Sequence, residues 1–354
     1  MGTPKRLAVV ATATAILVLG PVSLALACGG LVAPNGTVNL LRTTTLAAYH
    51  EGVEHYVTSF TFAGDGEAAE VGSIIPLPGV PTDVIRGGDW TLQRLAIETE
   101  LLKNEGRELF AADAAASAPA EVLLETQIDA LDITVLSGGA TAVGDWARER
   151  GFFLPPDAPQ MLEFYASRSP VFLAARFNAE RAQEQGVVEG QGTPIHVVVP
   201  TPNPWVPLRI LALGRQPQEL VQADVYLLTD IEPAMLPQTE ESTGDPTQEG
   251  LIRNLNEAAS GTLLRDLRSD RGMSWLPARD MWLTHVVINT PAEALTHDLA
   301  IDASGFAQPS PVAAGLAGSL AAATQPLFWP AVWAIVGVFT TIAVAGAVGM
   351  RRRA

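Results

Sequence analysis

Cysteine is almost absent from this sequence, since Cys28 is the only one among 354 residues. The chain therefore cannot close an internal disulfide, and no cluster of thiolates is available to hold zinc or an iron–sulfur centre. Burial of apolar side chains must stabilise the fold without covalent cross-links. The sequence also lacks the G-x-S-x-G, Walker, GxGxxG and SxxK patterns, so it offers none of these catalytic or nucleotide-binding signatures.

Basic residues are scarce as well. There are 22 Lys and Arg against 38 Asp and Glu, which leaves a formal net charge of -16. Such a surface repels phosphate backbones and argues against nucleic acid as a partner. An acidic exterior suits a soluble domain outside the cytoplasm, or one that meets cations.

The N-terminus follows the plan of a secretory signal. Lys5 and Arg6 precede the apolar run LAVVATATAILVLG, and residues 25–27 read ALA, which fits the A-x-A cleavage pattern. These features predict a signal peptide over residues 1–27, with an uncleaved membrane anchor as the alternative. Cleavage there leaves Cys28 as the first mature residue. It is then a free thiol, a thiol that pairs with another chain, or a lipidated one, although two of the three residues before it fit a lipobox poorly.

The C-terminus predicts a membrane anchor. Leu327–Met350 contains no charged residue and is long enough to cross the hydrocarbon core of a bilayer with some tilt. Arg351–Arg353 follow at once, and the positive-inside rule places them in the cytoplasm. We therefore expect a single-pass protein of the cell membrane, with the membrane itself as one partner and the N-terminal side outside.

Between these ends the sequence predicts one α+β domain with a large, mainly antiparallel sheet and a few helices. Runs such as PIHVVVP and ADVYLLTD are apolar throughout, as is typical of central strands. The segment TTTLAAYHEGVEHYVTSFTF predicts a hairpin that turns at Glu51-Gly52. DWTLQRLAIETELLKNEGRELF has helical spacing, with Asp89 as its N-cap. The predicted boundaries are 1–27 for the signal peptide, 28–302 for the domain with a mobile acidic loop at about 232–250, 303–326 for a linker, 327–350 for the transmembrane helix and 351–354 for the cytoplasmic tail.

His50 and His55 are the candidate metal ligands. On a two-residue turn they are diagonal neighbours on one face of the hairpin. Zinc needs a third protein ligand, for which Glu51 is available. The alternative is that both are ordinary histidines on a solvent-exposed face. His196 and His285 lie in apolar strands, which favours hydrogen-bonded core positions for them.

Two kinds of loop provide further candidates. The acidic pieces AGDGEAAE and LLTDIE carry the carboxylates that calcium prefers, but neither matches an EF-hand loop, and solvated acidic loops are the alternative. Proline fixes φ, so PTPNPWVP predicts a stiff, extended loop. Trp205 within it is either a recognition side chain on a rigid loop or a large aromatic that packs down to close the core.

Several segments together resemble a known bacterial family. They are CGGLVAPNGTVNLLRTTTLAAYHEGVEHYVTSFTF, PLPGVP, GGDWTLQRL, TPNPWVPLRILALG, ADVYLLTD and WLTHVVI. The chain resembles the family catalogued as domain of unknown function 2330, in its actinobacterial, membrane-anchored form. The likeness runs from Cys28 to the final arginines. It implies a location and an architecture, and it supplies no reaction and no catalytic residues.

These observations lead us to expect a non-enzymatic envelope protein that binds or scaffolds a partner. Its protein or envelope partner is not identified by the sequence, and no cofactor is assigned beyond the zinc and calcium alternatives. Two other functions stay open. One is a metal-dependent or other hydrolase outside the membrane that uses His50, His55 and nearby carboxylates. The other is an accessory subunit of a membrane complex, with the C-terminal helix as the partner surface.

Overall fold

The computed structural model describes residues 25–26, 30–32, 42–61, 72–99, 120–152, 154–185 and 192–316. The strands in these ranges are β1 Ala25–Leu26, β2 Gly30–Val32, β3 Arg42–His50, β4 Val53–Thr61, β5 Gly72–Pro76, β6 Asp83–Arg86, β7 Glu121–Ile128, β8 Leu131–Ser137, β9 Val171–Phe177, β10 Gly192–Pro200, β11 Trp205–Val206, β12 Leu220–Thr229, β13 Ala234–Leu236, β14 Glu240–Glu241, β15 Gly250–Ala258, β16 Trp282–Pro291 and β17 Leu299–Asp302. The helices are α1 Thr91–Glu98, α2 Ala140–Arg148, α3 Ala158–Ala166, α4 Ala179–Glu184 and α5 Gly261–Ser269.

The strands form three sheets. A nine-stranded sheet has the order β14-β15-β16-β12-β3-β4-β10-β6, with β1 paired to β3. The others are five-stranded, β2-β5-β9-β8-β7, and three-stranded, β11-β17-β13. The α+β, sheet-rich class is confirmed, but the expectation of one mainly antiparallel sheet needs correction. The largest sheet is mixed, because β12 runs parallel to β3 and β14 runs parallel to β15.

The two larger sheets stack face to face, and helices cover both outer faces. β12 shows why a run of apolar residues suits this position. Val225 and Leu227 pack in the core between the two sheets, whereas Tyr226 and Leu228 pack in the cluster that includes α1 and α5. The opposite face of the five-stranded sheet packs on α2 and α3. A side chain buried on either face contributes about 1.5–3 kcal/mol, so strands with both faces covered are apolar throughout.

The β3–β4 hairpin has the predicted register. His50 pairs with Val53 and Ala48 pairs with His55. The turn residues Glu51 and Gly52 have φ values of 49° and 83°, as in the two-residue turns that match the twist of a hairpin. The alternative that both histidines lie on a solvent-exposed face is wrong for His55. This residue is only 9% exposed, because α1 and α5 cover that side of the sheet.

The acidic loop and the linker of the sequence analysis both contain packed structure. Residues 232–250 include β13, which pairs with β17, and β14, which pairs with β15. Residues 303–316 pack on the domain: Ala313 and Ala314 are buried, and the Ala314 carbonyl accepts a hydrogen bond from the backbone N–H of Asp298 at 3.0 Å. The folded unit therefore extends beyond residue 302.

The two predicted membrane-targeting ends fall almost entirely outside the described residues. Cys28 and the whole of 327–350 lie outside them, and of the predicted signal peptide only β1 is described. Within the described ranges, no helix has the length and apolar character needed to cross a membrane.

Candidate binding surface

Three chain segments meet at one end of the nine-stranded sheet. β3 and β12 run in parallel with Tyr49 opposite Thr229, so the β3–β4 turn and the segment after β12 reach the same end. β13 then pairs with β17, with Ala234 opposite Asp302, which brings the segment after β17 alongside. We call the surface that these segments form the loop-end surface. Its residues are Tyr49, His50, Asp230, Ile231, Glu232, Asp302 and Phe306.

Hydrogen bonds fix each of the three residues after β12, which are Asp230, Ile231 and Glu232. Nδ1 of His50 lies 2.6 Å from Oδ1 of Asp230, and the Thr229 hydroxyl donates to the carbonyl of Ile231 at 2.6 Å. The side-chain amide of Asn256 donates to Glu232 at 2.5 Å. An exposed contact such as His50–Asp230 adds little stability, but it contributes to fixing the position of the backbone. The Ile231 side chain is 41% exposed.

The loop after β17 is held by its own first carboxylate. Asp302 accepts hydrogen bonds from the backbone N–H of Ser304 at 2.8 Å and from that of Gln308 at 2.7 Å. Burial alone would raise the pKa of Asp302, but hydrogen bonds to its ionised form from the Ser304 side chain and from the backbone N–H groups of Gln308 and Ser304 outweigh burial and lower the pKa. Gly305 and Ala307 have φ values of 86° and 52°, so the backbone turns sharply on both sides of Phe306. The ring of Phe306 is 79% exposed.

The two held segments touch each other. A Cβ placed on Gly305 would lie 3.3 Å from Cδ1 of Ile231, so Ile231 packs directly beside the loop that carries Phe306. Asp230 and Glu232 flank Ile231 in the chain, and Asp302 lies at the base of the loop that carries Phe306. Exposed aromatic and aliphatic anchors at the centre of a polar rim are typical of protein-binding surfaces. Because both segments are already ordered, little conformational freedom is lost when a partner binds.

A buried carboxyl group lies beneath this surface. Glu54 is 0% exposed, and its Oε2 accepts the backbone N–H of Trp205 at 3.3 Å. Its Oε1 has no hydrogen-bond partner among the described residues. Burial raises the pKa of Glu54 to about 8, and the Trp205 hydrogen bond opposes the shift. Glu54 is therefore protonated at neutral pH and brings no charge to the surface above it.

Tyr49 connects Glu54 to the exposed groups. The two residues face each other across β3 and β4, and the Tyr49 hydroxyl donates to the carbonyl of Thr201 at 3.0 Å. Burial raises the pKa of Tyr49, and the carboxyl groups of Glu54, Asp302 and Asp230 raise it further. The tyrosine is therefore a neutral hydrogen-bond donor that ties the β3–β4 turn to the proline-rich segment.

Trp205 lies in the core and not on the loop-end surface. The residue is 4% exposed, and its ring stacks against that of Tyr165, with 5.8 Å between the ring centroids. The guanidinium of Arg168 lies 5.0 Å from the Trp205 ring. This position corresponds to the alternative in which the tryptophan packs down to close the core.

The histidine pair proposed for zinc is divided between different partners. His50 pairs with Asp230, whereas Nδ1 of His55 lies 2.9 Å from Nε2 of His196. The ring of Trp275 stacks on His55 with 3.5 Å between centroids. Among the described residues, no three His, Cys, Asp or Glu side chains are placed to hold a metal ion. The zinc assignment stays a prediction, and His196 is the partner of His55 that the sequence analysis missed.

Both members of the His55–His196 pair are held neutral. Burial lowers the pKa of His55 to about 3, helped by the neighbouring His196 and His50. Burial also lowers the pKa of His196 to about 4, although Asp83 and the backbone of Gly272 oppose this. Nδ1 of His196 faces that backbone without a hydrogen bond of normal geometry among the described groups. The pair is a neutral N–H···N contact inside the α1–α5 layer.

His285 forms a second buried cluster on the same side of the nine-stranded sheet. Its Nε2 lies 2.9 Å from Oδ1 of Asp224, and its Nδ1 lies 3.2 Å from the side-chain nitrogen of Asn254. Asn254 occupies the bulge in β15, where the register shifts. Because both ring nitrogens are engaged, this aspartate–histidine pair has no free nitrogen for general-base catalysis. The arrangement agrees with the expected hydrogen-bonded core position of His285.

Asp298 is the centre of the other fully buried polar network. Its carboxylate accepts hydrogen bonds from the Tyr165 hydroxyl at 2.9 Å and from the backbone N–H groups of Leu208 and Arg209 at 2.8 and 2.9 Å. Arg168 pairs with it at 2.6 Å. Burial raises the pKa of Asp298, and Arg168 acts in the opposite direction. Together these contacts join α3 and the residues just after it, the segment after β11 and the segment before β17, so the network has a structural role.

The fold and the surface define a sheet-rich α+β protein with an exposed, preordered apolar centre in an acidic rim. A model of the family described as "Uncharacterized protein conserved in bacteria (DUF2330)" matches residues 22–239. Because this match spans more than half of the chain, the chain belongs to that family.

Comparison with other known proteins adds little to the family assignment. The search of curated proteins found no match. Among solved structures, a mutated baculovirus P35 after caspase cleavage aligns with a TM-score of 0.36 and 9% identity, over 73% of this chain and 98% of that chain. The caspase-8/P35 complex aligns with a TM-score of 0.34 and 9% identity, over 73% and 90% of the two chains. TM-scores this low carry no argument about fold or activity.

Proposed function

We propose that this chain is a membrane-anchored extracytoplasmic binding or scaffolding protein and that the loop-end surface contacts its partner. The observation that carries the proposal is Phe306, which is 79% exposed on a loop that Asp302 holds at both ends. An exposed aromatic ring has a hydration cost that is recovered when a partner covers it. Because the loop is already ordered, binding a partner costs little conformational entropy, and more of that free energy contributes to affinity.

The anchor and the orientation belong to the same proposal. Leu327–Met350 crosses the membrane once, and Arg351–Arg353 lie in the cytoplasm. The folded unit, which ends no earlier than residue 316, is then exposed outside. The hydrolase alternative has less support, because in the described part of the chain His50 and His55 contact different partners, Asp230 and His196.

Crosslinking in living cells tests the binding surface. The full-length, membrane-anchored chain carries the photoreactive residue p-benzoylphenylalanine in place of Phe306, of Ile231 or of Val122. Val122 is 41% exposed but lies on β7 of the other sheet, so it is the matched control. We expect the same crosslinked protein from positions 306 and 231 and none from position 122. Equal adducts from all three positions, or none from 306, would overturn the proposal.

Cysteine labelling tests the orientation. In a Cys28→Ala background, Phe306→Cys should react with a membrane-impermeant maleimide in intact cells. Arg352→Cys should react only after the cells are permeabilised. The opposite pattern would contradict the predicted topology.

A further inference from the structure

A groove opens directly beside Phe306. Its volume is about 820 Å³, within the range of sites that bury a ligand. One wall is formed by Pro233–Leu236, Gln238 and Thr239, and the other by residues 307–309 and Pro311, with Arg253 also lining it. The walls are the direct continuations of the two held segments, so Ile231 and Phe306 lie next to the groove.

One wall of the groove contains β13, which is an edge strand. β13 pairs with β17 on one side and is the terminal strand of the three-stranded sheet, so in the described part of the chain no strand lies on its other side. Its three side chains are each partly exposed. The free edge of an extended strand offers N–H and C=O groups to a second extended chain, which is how peptides bind by strand addition.

The two segments that form the groove are acidic overall, although the charged side chain among the described lining residues is the cation Arg253. Residues 230–253 and 302–311 together carry seven acidic side chains and one basic side chain. That basic residue, Arg253, is already paired with Glu241 at 2.8 Å. Such a field favours a cationic occupant and repels anionic lipid surfaces.

We infer that this groove binds an extended peptide segment of a partner protein that carries lysine or arginine, and that the segment adds as a strand to β13. The inference rests on the proposed function and names the chemistry of the partner. Backbone hydrogen bonds to β13 hold the peptide, its cationic side chains meet the acidic rim, and apolar groups of the partner cover Phe306 and Ile231.

Three synthetic peptides test the inference on the purified full-length chain in detergent. The first is a ten-residue peptide that alternates lysine with valine or threonine. The second has glutamate in place of each lysine, and the third is the lysine peptide with alternate backbone nitrogens methylated. We expect the lysine peptide to bind about tenfold or more tightly than either of the others. Its affinity should fall as salt is raised, because the rim charges are exposed.

Charge-reversed variants connect the effect to the groove. Glu240→Lys combined with Glu241→Lys should weaken binding of the lysine peptide by about tenfold. Glu121→Lys is the matched control, since Glu121 is an exposed glutamate on β7 of the five-stranded sheet, and it should leave the affinity unchanged. A circular dichroism spectrum of each variant shows that it has folded.

The outcomes separate the two proposals. If position 306 crosslinks a partner in cells but the lysine and glutamate peptides bind equally, the inference about a basic peptide is wrong and the proposed function stands. If the methylated peptide binds as well as the unmodified one, strand addition to β13 is wrong. If position 306 crosslinks nothing in cells, the proposed function itself fails.

Discussion

Glu54 provides the sharpest test of the physical description of the loop end. Its carboxyl group is fully buried, one oxygen accepts a single backbone N–H, and the other has no partner among the described groups. Ionisation at this position places an uncompensated charge in the core. The substitution Glu54→Gln keeps the shape of the side chain and the hydrogen bond to Trp205, and it removes the ionisation.

The magnitude follows from the pKa of Glu54, which burial raises from 4.5 to about 8. Because the folded-state pKa lies above the unfolded one, the native state binds this proton more tightly. The resulting stability is fully present below pH 4.5 and is lost as the pH rises to about 8. At about 1.4 kcal/mol per pKa unit, the loss reaches about 3 kcal/mol at pH 7 and about 5 kcal/mol above pH 8.

The assay compares free energies of unfolding of the wild-type and Glu54→Gln chains from about pH 4 to about pH 9. Urea titration of the full-length chain, followed by tryptophan fluorescence, provides each value. At low pH the variant should be less stable by about 1–3 kcal/mol, because the new amide N–H group has no acceptor. The two curves should cross, and the variant should be the more stable protein at pH 8.

Glu121→Gln is the matched control, because it makes the same substitution at an exposed glutamate on a strand. A Glu54→Gln curve that runs parallel to the wild-type curve would refute the reasoning. It would mean that Glu54 is ionised in the native protein and is reached by water or by a cation.

The remaining predictions concern three other buried groups and use the same assay. His196→Gln should reduce the loss of unfolding free energy that the wild-type chain shows below pH 6.5. Burial lowers the pKa of His196 from 6.5 to about 4, so the wild-type chain loses stability as the pH falls from 6.5 to about 4. An unchanged loss would contradict a neutral ring. Gly88→Ala should cost about 1–3 kcal/mol, because the new Cβ would lie 2.2 Å from a carboxylate oxygen that binds the start of α1. Gly139→Ala enters open space and should cost far less, so equal effects would refute the packing argument. Asp298→Asn leaves Arg168 without its buried charge partner and should cost about 3–5 kcal/mol. Adding Arg168→Met should recover part of that loss, and strict additivity would exclude the coupling.

Local patterns were sufficient to predict the β3–β4 hairpin. A two-residue turn determines the register, and the period of two then assigns each side chain to a face. His50 and His55 lie on one face as expected. Whether that face is solvated depends on α1 and α5, which come from distant segments. The hairpin alone therefore could not reveal that His55 is buried against Trp275 or that His196 is its partner.

The start of α1 shows the same limit. The sequence predicts Asp89 as the N-cap, but the helix begins at Thr91 after Trp90, with no side-chain cap from its own segment. The carboxylate of Asp270 instead accepts the backbone N–H groups of Asp89 and Trp90. This cap lies 181 residues away from Asp89, so no capping pattern in the local sequence could identify it. The position of the Asp270 carboxylate also explains why residue 88 is a glycine, because any Cβ there would clash with that carboxylate.

The loop-end surface could not be predicted from the sequence for a related reason. The piece LLTDIE is conspicuous as a set of carboxylates, and DASGF as part of a small-residue linker. In the structure these two segments lie together because Ile231 packs beside the Gly305 backbone and because Asp302 accepts hydrogen bonds from its own loop. The spacing of Asp302 and Ser304 is a turn signal that was available. It predicts a turn, but it does not predict an exposed aromatic at its tip.

The edges of the sheets are protected in different ways. A free edge invites pairing with another chain, and proteins protect such edges with charges and bulges. The nine-stranded sheet ends in Glu240 and Glu241 of β14 at one side, and in β6, which carries Asp83 and Arg86, at the other. β7 at the edge of the five-stranded sheet has a register shift between Val122 and Leu124. β13 has neither a charge nor a bulge, since its sequence is Ala-Met-Leu and its register with β17 is regular. In this it is like the edge strands β2 and β11, and it is kept short, with three residues between Pro233 and Pro237. Acidic residues occur in the chain segments before and after β13 and none lies within it, so these charges disfavour pairing with a second copy of this chain and leave β13 accessible to a cationic strand.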